Sequence, residues 1–151
     1  MNNITIRHAR ENDLKLIAEF NIAMALETEN KVLEPEVILK GVKNLFHNNQ
    51  FGFYIVAESE GEVCGCMMTT TEWSDWRNGL FLWIQSVYVK PEFRRRGIYT
   101  RMYEFMKKHA FNDSSICGCR LYVEKDNFTA QETYKKSGMS KTDYLVFEEL
   151  T

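Results

Sequence analysis

Three consecutive arginines run directly into a glycine at residues 94–97, and a helical pattern begins immediately afterwards. The first backbone N–H groups of a helix have no acceptor within the helix, and the helix dipole adds about half a positive charge at that end. Such a helix end binds a phosphate or pyrophosphate, and Gly97 would let the backbone approach it closely. The arginine side chains would add charge-assisted hydrogen bonds to phosphate oxygens. A solvated basic loop is the alternative for this stretch taken alone.

A second group of chemically capable residues lies in the stretch EWSDW at 72–76. Its carboxylates, Glu72 and Asp75, are candidates for general-base chemistry, and the rings of Trp73 and Trp76 flank them. Acidic groups beside aromatic faces favour a positively charged ligand, with a cation–π attraction of about 1 kcal/mol. A solvated surface position is the alternative for each carboxylate. Further candidates for contact with such a ligand are Glu27, Glu29, Trp83 and Gln85.

The four cysteines form two Cys-Gly-Cys pairs, at 64–66 and 117–119. Structural zinc sites favour two to four residues between paired ligands, so this spacing argues against a zinc site. The second pair alternates with Leu121 and Val123, which suits buried, reduced cysteines on a strand. We therefore expect no bound metal and no catalytic cysteine.

The composition limits the classes of function. With 151 residues and a net charge of -2, the chain lacks the overall basicity of nucleic-acid-binding domains. No stretch approaches the roughly 18 apolar residues that span a bilayer, and the opening MNNITIRHAR is too polar for a secretory signal. A soluble, cytoplasmic protein without nucleic-acid or membrane partners is the expectation.

A sheet and its helices must position these residues. Apolar residues alternate or recur at helical spacing along the chain and predict the order βααβββαβαβ. The predicted elements are a strand at 3–8, helices at 11–29 and from Pro35, strands at 51–58, 63–73 and 80–89, a helix from Tyr99, a strand at 117–124, a helix at 127–138 and a strand at 143–150. This order implies one α/β domain, residues 1–151, with a mixed sheet and helices on both of its faces.

The ordered motifs resemble the GNAT acetyltransferase superfamily. RRRGIY at 94–99 is similar to its pyrophosphate signature of Gln or Arg, two residues, Gly, one residue, and then Gly or Ala, with Tyr99 at the last place. IQSVYVKPEF resembles the strand before that loop, and LYVEKDNFTAQETYKKSGM resembles the fifth strand and the next helix, with Met139 where the family has Phe. ITIRHARENDLKLIAEFN resembles the opening strand and helix. The resemblance spans nearly the whole chain and implies a GNAT-like, mostly antiparallel sheet.

The same resemblance implies acetyl-CoA as the acyl donor. It places Tyr134 at the family's general-acid position and gives Asn127 a bond to the cofactor arm. From the residues alone, a core aromatic and a helix N-cap are the alternatives. The strand before the loop would pair its backbone with the pantetheine arm. The residues expected to contact the cofactor are Val87, Tyr88, Val89, Arg94, Arg95, Arg96, Gly97, Ile98, Tyr99, Thr100, Asn127 and Tyr134.

Acetyl transfer to an amine requires a neutral amine and a protonated leaving thiol. A lysine-like amine with a pKa of about 10.4 is neutral only about once in a thousand at neutral pH, a cost of roughly 4 kcal/mol. A carboxylate or ordered water must take that proton, and a phenol such as Tyr134 can protonate the thiolate. The remaining catalysis is positioning, with a strand N–H stabilising the oxyanion, and needs no acetyl-cysteine.

The sequence therefore predicts an enzyme, an acetyl-CoA-dependent N-acetyltransferase that transfers directly to a small, cationic primary amine. A protein lysine or N-terminal acetyltransferase is the alternative within this class. A non-catalytic acyl-CoA-binding module is the alternative outside it, although Tyr134 beside an intact loop argues against that reading. The family commonly dimerises, so a homodimer is compatible with the resemblance.

Overall fold

Most of the predicted helices and strands form close to their expected boundaries. The computed structural model describes residues 3–151 in two compact units, one ending at Leu121 and one comprising Tyr122–Thr151. The first unit contains β1 (Ile4–His8), α1 (Leu14–Glu29), α2 (Pro35–Phe46), β2 (Gly52–Ser59), β3 (Glu62–Ser74), β4 (Gly79–Val89), α3 (Ile98–Phe111) and β5 (Ile116–Arg120), and the second contains α4 (Phe128–Lys136). Within residues 3–151, no helix combines the length and apolar character needed to cross a membrane. The assignment of residues 1–151 to one domain stays a prediction.

The five strands form one sheet in the order β1-β2-β3-β4-β5. The pairs from β1 to β4 are antiparallel and β4 pairs with β5 in parallel, which confirms a mixed, mostly antiparallel sheet. Glu60 and Gly61 join β2 to β3 with positive φ angles of 52° and 82°, the handedness that two-residue hairpin turns favour. Parallel neighbours require a crossover, and α3 supplies it between β4 and β5. The loop that leads into α3 therefore begins at the carboxyl end of β4.

Helices cover both faces of this sheet. Side chains alternate along a strand, so neighbouring residues of β2 face opposite sides. Tyr54 and Val56 are buried in a cluster with residues of α1 and α2, whereas the ring of Phe53 lies 4.9 Å from the ring of His109 on α3. The two faces are therefore covered by different helices, as predicted. Fully buried side chains anchor them at helical spacing, each contributing about 1.5–3 kcal/mol; they include Leu14 and Ile17 of α1 and Ile98, Met102 and Met106 of α3.

Two strand predictions require correction. The strand predicted at 117–124 ends at Arg120, and residues 143–150 form no strand among the described elements. A strand exists through hydrogen bonds to a neighbouring strand, and α4 is the one helix or strand described in the second unit. Residues 143–150 were thus predicted as a strand from their residue types alone. No strand is described in their own unit with which they could pair.

Candidate cofactor and active site

A β-bulge interrupts β4 shortly before its end. Cys66 pairs with Tyr88 and Met68 pairs with Gln85, so one residue of β3 faces two residues of β4. The first of these two, Ser86, has a left-handed φ of 50°. Bulges of this kind bend the strand and increase its twist, and they are common next to active sites. Sequence reasoning did not identify Ser86, and its one signal is a polar pair, Gln85 and Ser86, inside an apolar strand.

The second half of β4 has a strand neighbour on one side. Its parallel pairing with β5 covers Leu80–Trp83 and stops there, whereas its pairing with β3 continues to Val89. Residues 84–89 therefore leave one backbone edge without a partner strand among the described elements. The predicted cofactor-pairing residues, Val87, Tyr88 and Val89, all lie in this segment. Unpaired strand N–H and C=O groups can pair with the amides of an extended ligand.

The loop after β4 brings two left-handed residues to the start of α3. A short 3₁₀ helix, Pro91–Phe93, is followed by Arg95 with φ 62° and Gly97 with φ 73°. Gly97 occupies the N-cap position of α3, where no side chain caps the helix. The first helical hydrogen bond runs from the N–H of Arg101 to the carbonyl of Gly97. The N–H groups of Ile98–Thr100 precede it and so have no acceptor within the helix.

This helix end fits a pyrophosphate by its backbone geometry. A Cβ placed on Gly97 would meet no atom within 4 Å, so the glycine is needed for its positive φ, and the space beside it is open. Successive N–H groups in alternating conformations form a concave anion site, and the positive end of the helix dipole strengthens it. The arrangement agrees with the cofactor roles predicted for Gly97, Ile98, Tyr99 and Thr100, which stay predictions until a ligand is bound.

The three arginines of the loop have different surroundings. The Arg94 guanidinium donates from Nε to the carbonyl of Val89 at 2.8 Å and from its two terminal nitrogens to both carboxylate oxygens of Glu27. This ion pair raises the pKa of Arg94 and lowers the pKa of Glu27. Arg95 and Arg96 are exposed, and the Arg96 guanidinium lies 5.2 Å from the ring centroid of Phe93. The structure thus joins Arg94, predicted as a phosphate ligand, to Glu27, predicted as an acceptor ligand.

The acidic and aromatic candidates of residues 72–76 lie at the end of β3 and in the turn that leads into β4. Glu72 accepts a hydrogen bond from Arg120 of β5 at 2.7 Å, so this candidate base is held in an ion pair. Asp75 lies in the turn and accepts a hydrogen bond at 2.9 Å from the backbone N–H of the next residue, Trp76. Trp73 is 60% exposed and Trp76 is 87% exposed. Two large rings that pack on little else are available to a ligand at this hairpin.

The remaining acceptor candidates lie on the strand and at the end of α1. Gln85 donates to the hydroxyl of Thr70 at 2.8 Å, across the β3–β4 pair. Trp83 is half-buried in β4, at the last residue paired with β5. Glu29 is exposed as the last residue of α1. Gln85 is therefore ordered by its neighbour, whereas Glu29 faces solvent.

The second unit holds the remaining predicted residues, Asn127 and Tyr134. The side chain of Asn127 accepts a hydrogen bond from the N–H of Ala130 at 3.1 Å and so caps α4, which confirms the capping reading of this residue. Tyr134 lies in α4, and burial raises its pKa above the ordinary value of 10.0. Its phenol therefore keeps its proton at neutral pH, as a general acid must. The cofactor contacts of both residues stay predictions.

The cysteines of β3 have the character of small buried apolar groups. Cys64 and Cys66 are fully buried and reduced. Burial raises the pKa of both thiols, that of Cys66 to about 12. A nucleophilic cysteine requires a thiolate, so these residues are unsuited to covalent catalysis. Among the described residues, no three His, Cys, Asp or Glu side chains are grouped as metal ligands.

A strand with an open, bulged end is thus followed by a glycine loop and an uncapped helix, an arrangement able to receive a phosphate-bearing ligand. The model of the family described as "Acetyltransferase (GNAT) family" matches residues 16–139. The chain belongs to this family and is an N-acetyltransferase.

Individual proteins agree with this assignment. The chain is 29% identical over 147 residues to the thialysine N-epsilon-acetyltransferase of Bos taurus, covering 89% of this chain and 83% of the relative. A possible acetyltransferase from Clostridium difficile 630 has a crystal structure with a TM-score of 0.92 and 47% identity, over 98% of this chain and 97% of its own. An acetyl-CoA complex of a predicted acetyltransferase from Clostridium acetobutylicum shares the fold, with a TM-score of 0.80, 20% identity and coverage of 97% and 96%.

Proposed function

We propose that this protein transfers the acetyl group of acetyl-CoA directly to the primary amine of a small, cationic molecule. The observation that carries the proposal is the left-handed Gly97 at the uncapped start of α3. It ends the loop that leaves the open edge of β4 at 84–89. Together they offer N–H groups to a pyrophosphate and strand peptide groups to an amide-bearing arm, the two chemical features of coenzyme A.

The backbone of β4 supplies the electrostatic part of the reaction. The peptide groups of Val87, Tyr88 and Val89 bind the arm of the donor, and a strand N–H in this segment stabilises the oxyanion of the tetrahedral intermediate. The bulge at Ser86 turns β4 away from regular pairing just before these residues. Holding donor and acceptor together in this way replaces a bimolecular encounter and accounts for much of the rate enhancement.

Two proton transfers complete the reaction. Tyr134 donates its phenolic proton to the departing thiolate, and the phenol carries that proton at neutral pH because burial raises its pKa above the ordinary value of 10.0. The amine of the acceptor loses its proton to Asp75 or Glu72, directly or through ordered water. Asp75 is the stronger candidate, because Glu72 is held in an ion pair with Arg120.

The acceptor binds at the β3–β4 hairpin through its charge. Exposed rings of Trp73 and Trp76 beside Asp75 attract an alkylammonium group. The Bos taurus relative is named for acetylation of an epsilon-nitrogen, which supports an acceptor of this chemical class. Trp83, Gln85 and Glu29 complete the proposed acceptor side, whereas Glu27 is held by Arg94 in the loop before α3. A cytoplasmic location and a homodimeric assembly are proposals as well.

The decisive experiment is calorimetric titration of the purified protein with acetyl-CoA, comparing the wild type with Gly97→Glu. The new carboxylate would occupy the open space beside the helix end and repel a pyrophosphate, so we expect binding to weaken at least about a hundredfold. Gly61→Glu is the matched control, because Gly61 also has a positive φ and open space around it, in the β2–β3 turn. It reproduces the backbone strain without altering the loop.

A panel of amines, followed by release of free thiol, then identifies the acceptor. Turnover with small diamines or amino acids supports the proposal. Turnover confined to protein lysines or N-termini would replace the acceptor class, and tight acetyl-CoA binding without turnover would indicate a binding module. Absence of acetyl-CoA binding by the wild type would overturn the proposal altogether.

A further inference from the structure

The ion pair between Glu27 and Arg94 joins two parts of the chain that are 67 residues apart. Glu27 lies in the last turn of α1, and Arg94 lies in the loop that precedes α3. Both carboxylate oxygens of Glu27 accept hydrogen bonds, in the parallel two-point geometry that guanidinium and carboxylate groups favour. The link therefore fixes the orientation of the Arg94 side chain as well as its position.

Arg94 is held from two further directions. Its Nε donates to the carbonyl of Val89, the last residue of β4, at 2.8 Å. Its guanidinium carbon lies 5.5 Å from the ring centroid of Tyr88. The Arg94 side chain thus connects the residue after the short 3₁₀ helix to Val89 before it. Glu27 in turn connects this side chain to α1.

The residue after Arg94 explains why the loop needs an anchor. Arg95 has a left-handed φ of 62°, a conformation that costs a side-chain-bearing residue about 1 kcal/mol or more unless its surroundings enforce it. Gly97 adopts the same region two residues later. A loop with two such residues holds its N–H groups in place before a ligand arrives only if its start is fixed.

We propose that Glu27 is a positioning residue for the loop at residues 90–97, which we call the donor loop. Through Arg94, Glu27 sets the affinity for coenzyme A, and it does not contact the amine. The inference rests on the proposed function and narrows it, since it moves Glu27 from the acceptor side to the donor side. A loop ordered in advance loses less conformational entropy on binding and so binds more tightly.

Electrostatics alone gives the opposite expectation for Glu27. Removing a negative charge near a polyphosphate and releasing a guanidinium should strengthen binding of coenzyme A. Loss of a positioning residue should weaken it. The sign of the change in affinity therefore separates the two roles.

Calorimetric titration with coenzyme A tests this sign. We expect Glu27→Gln to weaken binding about three- to fivefold, the range of a partly exposed ion pair. Glu19→Gln is the matched control, since Glu19 is an exposed carboxylate earlier in α1 and should bind like the wild type. Arg94→Lys, which keeps the charge but loses the two-point geometry, should weaken binding as much as Glu27→Gln. Unchanged or tighter binding by Glu27→Gln would overturn the inference.

Two further measurements separate positioning from acceptor contact. In steady-state kinetics, Glu27→Gln should raise the KM for acetyl-CoA and leave kcat and the KM for the amine unchanged. A rise in the KM for the amine instead would return Glu27 to the acceptor side and contradict the inference. Hydrogen exchange without any ligand should be faster at the amides of residues 95–100 in Glu27→Gln than in the wild type or Glu19→Gln.

The exchange experiment also distinguishes failure of this inference from failure of the proposed function. If the wild type does not bind coenzyme A, the proposed function falls and the claim about affinity falls with it. If the wild type binds but Glu27→Gln shows normal affinity and normal exchange, the positioning role alone is wrong.

Discussion

The loop before α3 and the hairpin between β3 and β4 contribute to the proposed reaction in different ways. The loop acts through its backbone, because the left-handed residues Arg95 and Gly97 precede an uncapped helix. The hairpin acts through side chains, with Trp73 and Trp76 exposed and Asp75 bonded within its own turn. A backbone site depends on conformation, here on the positive φ of Gly97, whereas a side-chain site depends on the chemistry of its residues.

This difference assigns separate properties of the enzyme to the two regions. Every acyl-CoA donor presents the same pyrophosphate and the same amide-bearing arm, so one backbone geometry serves any of them. In the proposed acceptor site, recognition depends on charges and rings, which can be exchanged without altering the sheet. Changes in the loop should therefore affect turnover of every amine, whereas changes in the hairpin should alter the preference among amines.

Among the changes that test this division, we expect the largest effect on turnover from Tyr134, which lies outside both regions. We expect Tyr134→Phe to lower kcat about a hundredfold for every amine, because the thiolate then leaves without a general acid. The affinity for acetyl-CoA should change little. Since burial raises the pKa of the phenol above 10.0, its deprotonation should reduce wild-type kcat only above about pH 10.

Tyr144→Phe, in the same unit, is the control for loss of a phenolic hydroxyl, and we expect it to keep wild-type turnover. If Tyr134→Phe has a normal kcat, water protonates the thiolate and Tyr134 is a packing residue. In that case catalysis rests on the loop and the hairpin alone.

The glycine turn at the start of α3 could be predicted from the sequence because its determinants are local. Gly97, the arginines before it and the helical pattern after it are consecutive, and each has a known conformational or charge preference. The pair between Arg94 and Glu27 could not be predicted, since its members meet only through the packing of α1 beside the end of β4. The pair between Glu72 and Arg120 depends in the same way on the register of two strands and their parallel neighbour.

The sheet shows the same limit. Apolar residue patterns predicted β2, β3 and β4 from the sequence, and in the structure Glu60 and Gly61 form the turn between the first two. The bulge at Ser86 left almost no trace in the sequence, because an extra residue changes pairing without changing composition. The strand predicted at 143–150 was wrong for a related reason: apolar alternation indicates the capacity to pair but does not supply the partner strand.

A smaller effect, at Trp76, tests whether the hairpin selects the acceptor. We expect Trp76→Ala to raise the KM for a cationic amine about fivefold through loss of a cation–π contact, and to leave the KM for acetyl-CoA unchanged. Its ring is 87% exposed, so the melting temperature should hardly change. Phe111→Ala removes another ring, 80% exposed at the end of α3, and should leave both KM values as they are. An unchanged KM in Trp76→Ala would remove the hairpin from the acceptor site.

The smallest effect concerns the stability of α3, the helix that follows the donor loop. Near the C-terminal end of α3, His109 lies 5.6 Å from His8 of β1, ring to ring, and Phe53 and Phe105 lie 5.2 and 5.3 Å from His8. Desolvation by burial and the nearby His109 lower the pKa of His8 below its ordinary value of 6.5. The folded protein thus binds this proton less readily than the unfolded chain. The contribution of the uncharged His8 to the free energy of unfolding is complete above pH 6.5 and is lost as the pH falls from there through the lowered pKa.

Because His8 is partly exposed, the loss should be small, a decrease in melting temperature on the order of 1–3 °C between pH 7 and pH 5. His8→Phe should flatten this part of the pH profile, whereas His47→Phe, at the end of α2, serves as the control and should retain it. A profile that His8→Phe leaves unaltered would assign the acid sensitivity to other groups. Affinity for acetyl-CoA should decline with the same pH dependence only if the packing of α3 against β1 and β2 holds the N-terminus of α3 in place. The donor site would then depend on the packing of the whole helix and not on its first turn alone.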